Sequence, residues 1–250
     1  MRKQLILIVI GAVLFSSCSF NDAAPDMSDL SNSGTGGSLA CFTIVGNYLY
    51  TVDNHQLKVV DVSNPSQPVY KKTVHPGFDI ETLFSRGDKL FVGSMLGMYI
   101  FDLSENPETP KQLSYYQHIV SCDPVVADEH FAYVTLNSSQ QVCWRAVNEL
   151  QIVDISDLNQ PKMIFNTPMK SPQGLSVSND TLYVCDDGLK IFKLAPDRKN
   201  VSLLQKFDIT ATDVIKIDKS LLVIGNDGFY QYQINHNNIQ LLSSIKTDVQ

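Results

Sequence analysis

The sequence predicts an all-β protein: a five-bladed β-propeller of four-stranded antiparallel blades, preceded by a signal peptide and a flexible tether. Three observations support this. The first residues carry an export pattern, the next are poor in large apolar side chains, and from Ala40 onward the chain repeats itself about every 40 residues. A repeat of that length made of short strands is typical of a propeller blade, because a single sheet needs neighbours to cover both of its faces.

Residues 1–17 are interpreted as a lipoprotein signal peptide. Two basic residues precede an apolar run from Leu5 to Phe15, which is too short for a finished membrane-spanning helix but has the length of a signal-peptide core. Two serines then lead to Cys18, and this arrangement resembles a lipobox, in which the cysteine thiol receives a diacylglycerol. A plain secretory signal or an uncleaved anchor is the alternative.

Residues 18–38 are predicted to be the lipidated Cys18 and a disordered tether, because the segment is rich in Ser, Gly, Asn and Asp. A lipid on Cys18 would bind the mature protein to a membrane leaflet. We therefore expect an extracytoplasmic, lipid-anchored location on the bacterial envelope, with the outer membrane or cell surface favoured. The net charge of −7 and the pI of 5.1 argue against a nucleic-acid partner.

Two sets of apolar residues define the repeat. The first set lies at spacings of 41, 42, 50 and 39 residues and comprises Tyr50, Phe91, Tyr133, Tyr183 and Leu222. The second set lies at spacings of 41, 52, 39 and 40 residues and comprises Val60, Phe101, Val153, Phe192 and Tyr232. The shared period predicts a propeller domain over 39–250 with blades at about 39–78, 79–120, 121–171, 172–211 and 212–250. We expect these blades to close into a ring, and an open array with exposed end strands is the alternative.

The third predicted strand of the first three units carries a common motif that ends in Asp-x-Ser and is followed by a proline-bearing turn. The three copies are Leu57–Ser63, Met98–Ser104 and Leu150–Ser156. This motif resembles the LVIVD repeat of predicted extracellular β-propeller proteins. The resemblance implies the fold and an extracytoplasmic location, and it implies little about activity.

The aspartate of this motif is interpreted as a turn residue. Its carboxylate and the serine hydroxyl can accept hydrogen bonds from nearby backbone N–H groups and stabilise the turn between the third and fourth strands. In units four and five, Lys193 and Gln233 replace the aspartate, so we expect those turns to be built differently.

Acidic residues fall just before or at the start of predicted innermost strands, which meet at one mouth of the central channel. They are Asp79, Glu81, Asp123 and Asp213. One interpretation is a cation or polyol site, or the paired carboxylates of a glycosidase-like hydrolase or lyase. The favoured interpretation is that they cap strand starts. The sequence predicts no metal site and no cofactor, and it leaves catalytic residues unknown, since it lacks local metal-binding or catalytic motifs.

The third unit contains an insertion, around 136–149, in the loop between its second and third strands. Trp144 and Arg145 lie in it, and these residue types are common in binding hot spots on loops. Alternatively, Trp144 covers the exposed end of the blade. The resulting hypothesis is a non-enzymatic recognition module for a protein or glycan partner, with a hydrolase or lyase as the alternative.

Four cysteines remain after Cys18, and disulfides are possible in an oxidising compartment. We expect Cys122 and Cys143 to pair, because both are placed at the same rim of one blade. The alternative pairs Cys143 with Cys185, and the sequence does not choose firmly.

Overall fold

The protein is described here as a computed structural model, covering residues 36–118, 124–138, 147–235 and 238–247. Twenty strands in these residues form five four-stranded antiparallel sheets in a propeller arrangement, each built from four consecutive strands. The predicted fold class is therefore confirmed. Among the described residues, no helix is long and apolar enough to cross a membrane.

The strands follow the chain sheet by sheet. Sheet 1 contains β1 Phe42–Val45, β2 Tyr48–Asp53, β3 Gln56–Asp61 and β4 Val69–Val74. Sheet 2 contains β5 Ile80–Arg86, β6 Lys89–Ser94, β7 Gly97–Asp102 and β8 Lys111–Gln117. Sheet 3 contains β9 Val125–Ala127, β10 Phe131–Leu136, β11 Glu149–Asp154 and β12 Lys162–Pro168. Sheet 4 contains β13 Pro172–Ser178, β14 Thr181–Asp186, β15 Leu189–Leu194 and β16 Val201–Phe207. Sheet 5 contains β17 Asp213–Ile217, β18 Ser220–Gly225, β19 Gly228–Asn235 and β20 Asn238–Lys246.

Tight turns between first and second strands fix the register of these hairpins. In four of the five sheets the same turn position has a positive φ, at Gly46 (57°), Gly87 (55°), Asn179 (54°) and Asp218 (46°). Gly, Asn and Asp are the residues that most readily adopt this left-handed conformation. In these four sheets the turn residues therefore set the pairing that places apolar side chains on matching faces.

Consecutive sheets are held together by apolar cores. At the first junction, the face of sheet 1 that looks toward sheet 2, its forward face, packs against the opposite, rear face of sheet 2. The forward face contributes Tyr50, Leu57 and Val59, and the rear face contributes Leu83, Leu90, Val92 and Phe101, all at most 1% exposed. Equivalent clusters join sheets 2 and 3, 3 and 4, and 4 and 5. Each sheet thus buries faces that it could not bury alone.

The ends of this array are different. On the forward face of sheet 5, Leu222 is 37% and Phe229 is 50% exposed, and on the rear face of sheet 1, Phe42 is 60% and Ile44 is 41% exposed. No core cluster of the described residues combines sheet 5 with sheet 1. The fifth junction therefore lacks the apolar packing that we expected from ring closure.

Ser38, which precedes β1 of sheet 1, forms hydrogen bonds with the innermost strands of sheets 4 and 5. Its hydroxyl donates to the Asp213 carboxylate (2.9 Å) and accepts from the backbone N–H of Leu175 (2.8 Å), and the N–H of Leu39 donates to the other Asp213 oxygen (3.3 Å). Ser38 is fully buried, although the sequence assigns it to the end of the tether. The last tether residues therefore belong to the packed structure.

The aspartates of the Asp-x-Ser turns accept hydrogen bonds as predicted, whereas the Ser104 hydroxyl donates to the Asp102 carboxylate (2.8 Å) rather than accepting from the backbone. The carboxylates of Asp61, Asp102 and Asp154 each accept from the backbone N–H of the serine two residues later, at 2.9, 3.1 and 2.9 Å. In sheet 4, Lys193 instead forms an ion pair with Asp180. These aspartates therefore stabilise turns.

Candidate functional site

A cleft of about 420 Å³ opens beside sheet 4, and we call it the rim cleft. It lies between the tip of the β14–β15 hairpin, the start of β13 and the connection from β16 to β17. Its lining consists of Ser171, Gln173, Asp187, Gly188, Asp208, Ile209, Thr210 and Ala211. Loops positioned by a rigid sheet are common places for ligand binding.

Two carboxylates in the rim cleft are tied to lysines. Lys206 lies 3.4 Å from Asp187 and 3.0 Å from Asp208, and Lys170 lies 3.0 Å from Asp187. The hydrogen bond from Lys170, supported by Lys206, lowers the pKa of the Asp187 carboxyl, and the Asp208 carboxylate raises the pKa of Lys206. Asp187 is thus ionised at neutral pH, so it can accept hydrogen bonds but has no proton to donate.

Asp186 stabilises the backbone of one wall of the cleft through hydrogen bonds. Its buried carboxylate accepts from the N–H groups of Lys170 (3.0 Å) and Ser171 (2.5 Å) and from the ammonium of Lys190 (2.6 Å). These bonds join the hairpin tip to the start of β13. The backbone at residues 170 and 171, next to the cleft, is therefore held to the hairpin tip before any ligand arrives.

Asp213, one of the predicted channel-mouth acids, is engaged in the contact with Ser38. Only 2% of the residue is exposed, and its carboxylate also accepts from the N–H of Val214 (2.9 Å). Burial raises the pKa of this carboxyl. Its oxygens are occupied by the chain itself, and Asp213 does not line the rim cleft.

The other predicted acids are not brought to the rim cleft. Asp79 has a left-handed backbone (φ 55°), and its carbonyl accepts from the N–H of Met95 (3.0 Å). Glu81 lies in β5, where its carbonyl accepts from the Cys41 thiol (3.4 Å). Neither lines the cleft, and Asp123 lies outside the described residues. No group of three or more candidate metal ligands occurs in the described parts of the chain.

The insertion of the third unit leaves the sheet beside the rim cleft. Trp144, Arg145 and the predicted disulfide of Cys122 with Cys143 lie outside the described residues. The residues that flank the insertion are described: the Asn137 amide donates to the carbonyl of Pro172 (2.6 Å), and the Asn148 amide donates to that of Lys170 (2.7 Å). The base of the insertion is therefore bonded to the segment that forms one wall of the cleft.

Cys185, the partner in the alternative disulfide, carries a free and fully buried thiol. Burial, with a contribution from the nearby Asp213 charge, raises the pKa of this thiol well above its usual value. Cys185 therefore behaves as a core residue of the junction between sheets 4 and 5.

Sequence reasoning missed the two acids that line the cleft. Asp187 and Asp208 belong to two different connections and are separated by 21 positions, so no local motif joins them. The available signal was Asp187-Gly188, which has the composition of a hairpin tip. Recognising the cleft also required the position of the β16–β17 connection.

Comparison with known proteins supports the repeat assignment. The LVIVD repeat family model matches residues 36–75 and 145–167, so the chain carries LVIVD repeats on its propeller. No match was found among curated proteins.

Among solved structures, the chain is similar to a periplasmic gluconolactonase of Pseudomonas aeruginosa, with a TM-score of 0.60, 16% identity, and coverage of 80% of this chain and 68% of the other. It is also similar to a provisionally assigned 6-phosphogluconolactonase of Bacteroides fragilis, with a TM-score of 0.64, 13% identity, and coverage of 83% and 70%. A protein of Lactobacillus plantarum gives a TM-score of 0.65, 13% identity, and coverage of 79% and 67%. At these identities the likeness shows the fold alone.

Proposed function

We propose that this LVIVD-repeat β-propeller is a non-enzymatic recognition module of the bacterial envelope, tethered by a lipid on Cys18, which binds a glycan in the rim cleft. The observation that carries the proposal is the pair of lysine-bound carboxylates, Asp187 and Asp208, in an open cleft with amide and hydroxyl neighbours. Carboxylate and amide oxygens accept hydrogen bonds from sugar hydroxyls, and the lysines provide donors for sugar oxygens.

Binding is favoured over hydrolysis by the state of the acids. A glycosidase needs one carboxyl group that holds a proton near neutral pH, opposite a second carboxylate. In the rim cleft, the lysines lower the pKa of Asp187. The acid whose pKa is raised, Asp213, is buried behind Ser38 and has its oxygens occupied. Among the described residues, this arrangement offers acceptors but no accessible proton donor of the required kind.

The insertion is proposed to extend the cleft. Asn137 and Asn148 bond its base to the wall formed by residues 170–172. Trp144 and Arg145 lie within the insertion, and the proposal gives them a contact with the same ligand, because aromatic side chains supply a large contact area in binding sites.

A glycan array of bacterial and host oligosaccharides tests the binding proposal with the full chain. We expect a subset of glycans to bind, and the double variant Asp187→Asn, Asp208→Asn to bind about tenfold or more weakly because two charged acceptors are lost. Trp144→Ala with Arg145→Ala is expected to weaken the same glycans. The matched control is Glu105→Gln, which alters an exposed, lysine-paired acid in the turn between β7 and β8.

Three results would contradict the binding proposal. They are binding that is unchanged in the double variant, the absence of binding to any glycan, and binding of envelope proteins instead of glycans. A separate assay with glucono-δ-lactone addresses catalysis, because this is the substrate class of one structurally similar protein. Turnover that the Asp187 and Asp208 substitutions abolish would replace the binding proposal with a hydrolase.

The lipid anchor has its own test. Cells fed a radiolabelled fatty acid are expected to label the protein and to carry it in the membrane fraction, and Cys18→Ser is expected to abolish both results. A labelled Cys18→Ser variant would disprove the anchor without affecting the glycan proposal.

A further inference from the structure

The forward face of sheet 5 forms an apolar groove of about 400 Å³, which we call the sheet 5 groove. Its apolar lining includes Ile215, Leu222, Ile224, Phe229 and Ile245. Phe229 is 50% and Ile245 is 70% exposed. In the other four sheets the equivalent face is covered by the next sheet, so the sheet 5 groove is one unfilled half of a junction.

The rear face of sheet 1 is the other unfilled half. Phe42 is 60% and Tyr70 is 59% exposed on this face. Val60, which pairs with Tyr70, is only partly buried, whereas Phe101, at the same repeat position of sheet 2, is completely buried against sheet 1. The described part of the chain therefore carries one forward face and one rear face that no sheet covers.

We propose that a second copy of this chain covers the sheet 5 groove with the rear face of its sheet 1. At each of the four internal junctions, the forward face of one sheet packs against the rear face of the next. A second copy brings the rear face that sheet 5 lacks, so the contact between copies repeats the packing that already holds the sheets together. It removes exposed apolar side chains of both copies from water, which is favourable.

Each end face carries a polar residue at a position that is apolar in all the other sheets. Among forward faces, sheet 5 has Gln231 where sheets 1–4 have Val59, Ile100, Ile152 and Ile191. Among rear faces, sheet 1 has Thr51 where sheets 2–5 have Val92, Val134, Val184 and Val223. Contacts between subunits that also exist apart are more polar than permanent ones. The end faces thus have the composition of a reversible contact between copies.

Gln231 also retains hydrogen-bonding capacity for such a contact. Its amide oxygen accepts from the Ser243 hydroxyl (3.2 Å), and the nitrogen of a glutamine amide carries two donor hydrogens. The rear face of a second copy supplies the Thr51 hydroxyl, which is an acceptor of the kind that this amide needs. The polar residues of the two end faces are therefore chemically complementary.

Association through two unlike faces has no two-fold axis. A pair of copies still has one free forward face and one free rear face, so further copies can add, and the assembly becomes a ring or a filament according to the rotation between copies. The contact can separate without unfolding any sheet. We therefore expect assembly to depend on protein concentration.

Photo-crosslinking of a mixture of two variants of the full chain tests the pairing of unlike faces. A heavy-isotope chain carries the photoreactive residue p-benzoylphenylalanine at Phe229 together with Phe42→Glu, so only its forward face can dock. A light chain carries Phe229→Glu, so only its rear face can dock. We expect position 229 of the heavy chain to crosslink to peptides of β1 or β4 of the light chain. The yield should exceed that of heavy–heavy dimers by about tenfold or more, because a carboxylate is costly to bury in an apolar contact.

The matched control moves the glutamate away from the two end faces. Phe78 is also aromatic and is 73% exposed, but it lies in the connection between sheets 1 and 2. A heavy chain with Phe78→Glu instead of Phe42→Glu is expected to give heavy–heavy and heavy–light dimers in similar yield. Circular dichroism and thermal melting verify that every variant is folded.

Four results would overturn the proposal. Crosslinks from position 229 to β1 or β4 of the same chain would show that the ring closes upon itself. Crosslinks to sheet 5 of another chain would show that like faces pair. Heavy–heavy dimers that persist with Phe42→Glu would place the contact elsewhere, and the absence of crosslinks between chains at high protein concentration would exclude a second copy as the occupant. The glycan proposal concerns the rim cleft and would stand in each case.

Discussion

The junction between sheets 4 and 5 and the two uncovered end faces are built from the same repeat but have opposite exposure. At the junction, Leu189, Val214 and Leu221 are completely buried. At the ends of the array, Phe229 on sheet 5 and Phe42 on sheet 1 also lie on apolar sheet faces, but no sheet covers them and they are at least half exposed. Residue type therefore does not decide burial in this fold. The presence of a neighbouring sheet decides it.

The largest expected effect contrasts two leucines in second strands. Leu182 is completely buried at the junction between sheets 3 and 4, whereas Leu222 is 37% exposed on sheet 5. We expect Leu182→Ala to lower the free energy of unfolding by about 2–5 kcal/mol, because it leaves a cavity. Leu222→Ala is expected to cost less than about 1 kcal/mol. Urea denaturation measures both, and equal losses would show that the face of sheet 5 is packed in solution.

The contact made by Ser38 is the next largest expected effect. Ser38→Ala removes a donor to the buried Asp213 carboxylate and an acceptor for the N–H of Leu175. We expect a cost of about 1–3 kcal/mol, because buried polar groups lose their partners. Faster hydrogen exchange at Leu39 and Leu175 would accompany it. The control Ser66→Ala alters an exposed turn serine. An equal loss of unfolding free energy in this control would contradict the claim that the buried hydrogen bonds of Ser38 stabilise the fold.

The stability of the protein is expected to depend on pH in opposite ways through two carboxyl groups, Asp213, which is bonded to Ser38, and Asp102, which lies in an Asp-x-Ser turn. Burial raises the pKa of Asp213 above its unfolded value of 3.8, so in the range between the two values the native state binds more protons. The contribution of Asp213 to stability therefore falls as pH rises from about 4 to the native pKa, and it is constant above it.

Asp102 has the opposite sign and serves as the control. The hydrogen bond from Lys89 lowers the pKa of this carboxyl to about 2, so its contribution is present above pH 4 and is lost as pH falls toward 2. Urea denaturation of the wild type, Asp213→Asn and Asp102→Asn between pH 2 and pH 7 tests both predictions. The same pH trend in the two variants would contradict the burial of Asp213.

The smallest expected effect compares the turns of regular and irregular repeats. Asp154→Ala removes the acceptor of the Ser156 N–H and is expected to cost about 1 kcal/mol. Gln233→Ala changes the equivalent position of sheet 5, where the motif lacks the aspartate, and is expected to be neutral to within about 0.5 kcal/mol. Thermal denaturation monitored by circular dichroism measures the change in Tm of each variant. Equal changes in Tm would contradict the role of the motif aspartate in stabilising the turn.

The strands and their grouping were predictable because alternating side chains and turn residues are local signals. The sequence predicted five blades of four antiparallel strands, and the structure has five four-stranded antiparallel sheets that are each built from consecutive strands. Packing at the fifth junction was not predictable in the same way. The repeat defines which faces are apolar, and the contact of distant sheets depends on the curvature of the whole array.

The candidate site was only partly predictable. The sequence indicated the correct class of residue, acids at connections, but it selected Asp213, whose partner Ser38 is 175 positions away. Such a hydrogen bond has no local signature. Asp187 and Asp208 share a cleft because two connections of sheet 4 converge, and that convergence becomes visible only when the sheets are placed.

The outermost strand β20 has a consequence for handling the protein. It is nine residues long, and Leu241, Leu242 and Ile245 on it are each about half exposed or more. A long outer strand with free backbone groups is a template for pairing with another chain, and a lone terminal lysine, Lys246, provides little charge against it. We expect concentrated samples to aggregate through this edge, and substituting Leu242 with lysine should improve solubility without altering the five sheets.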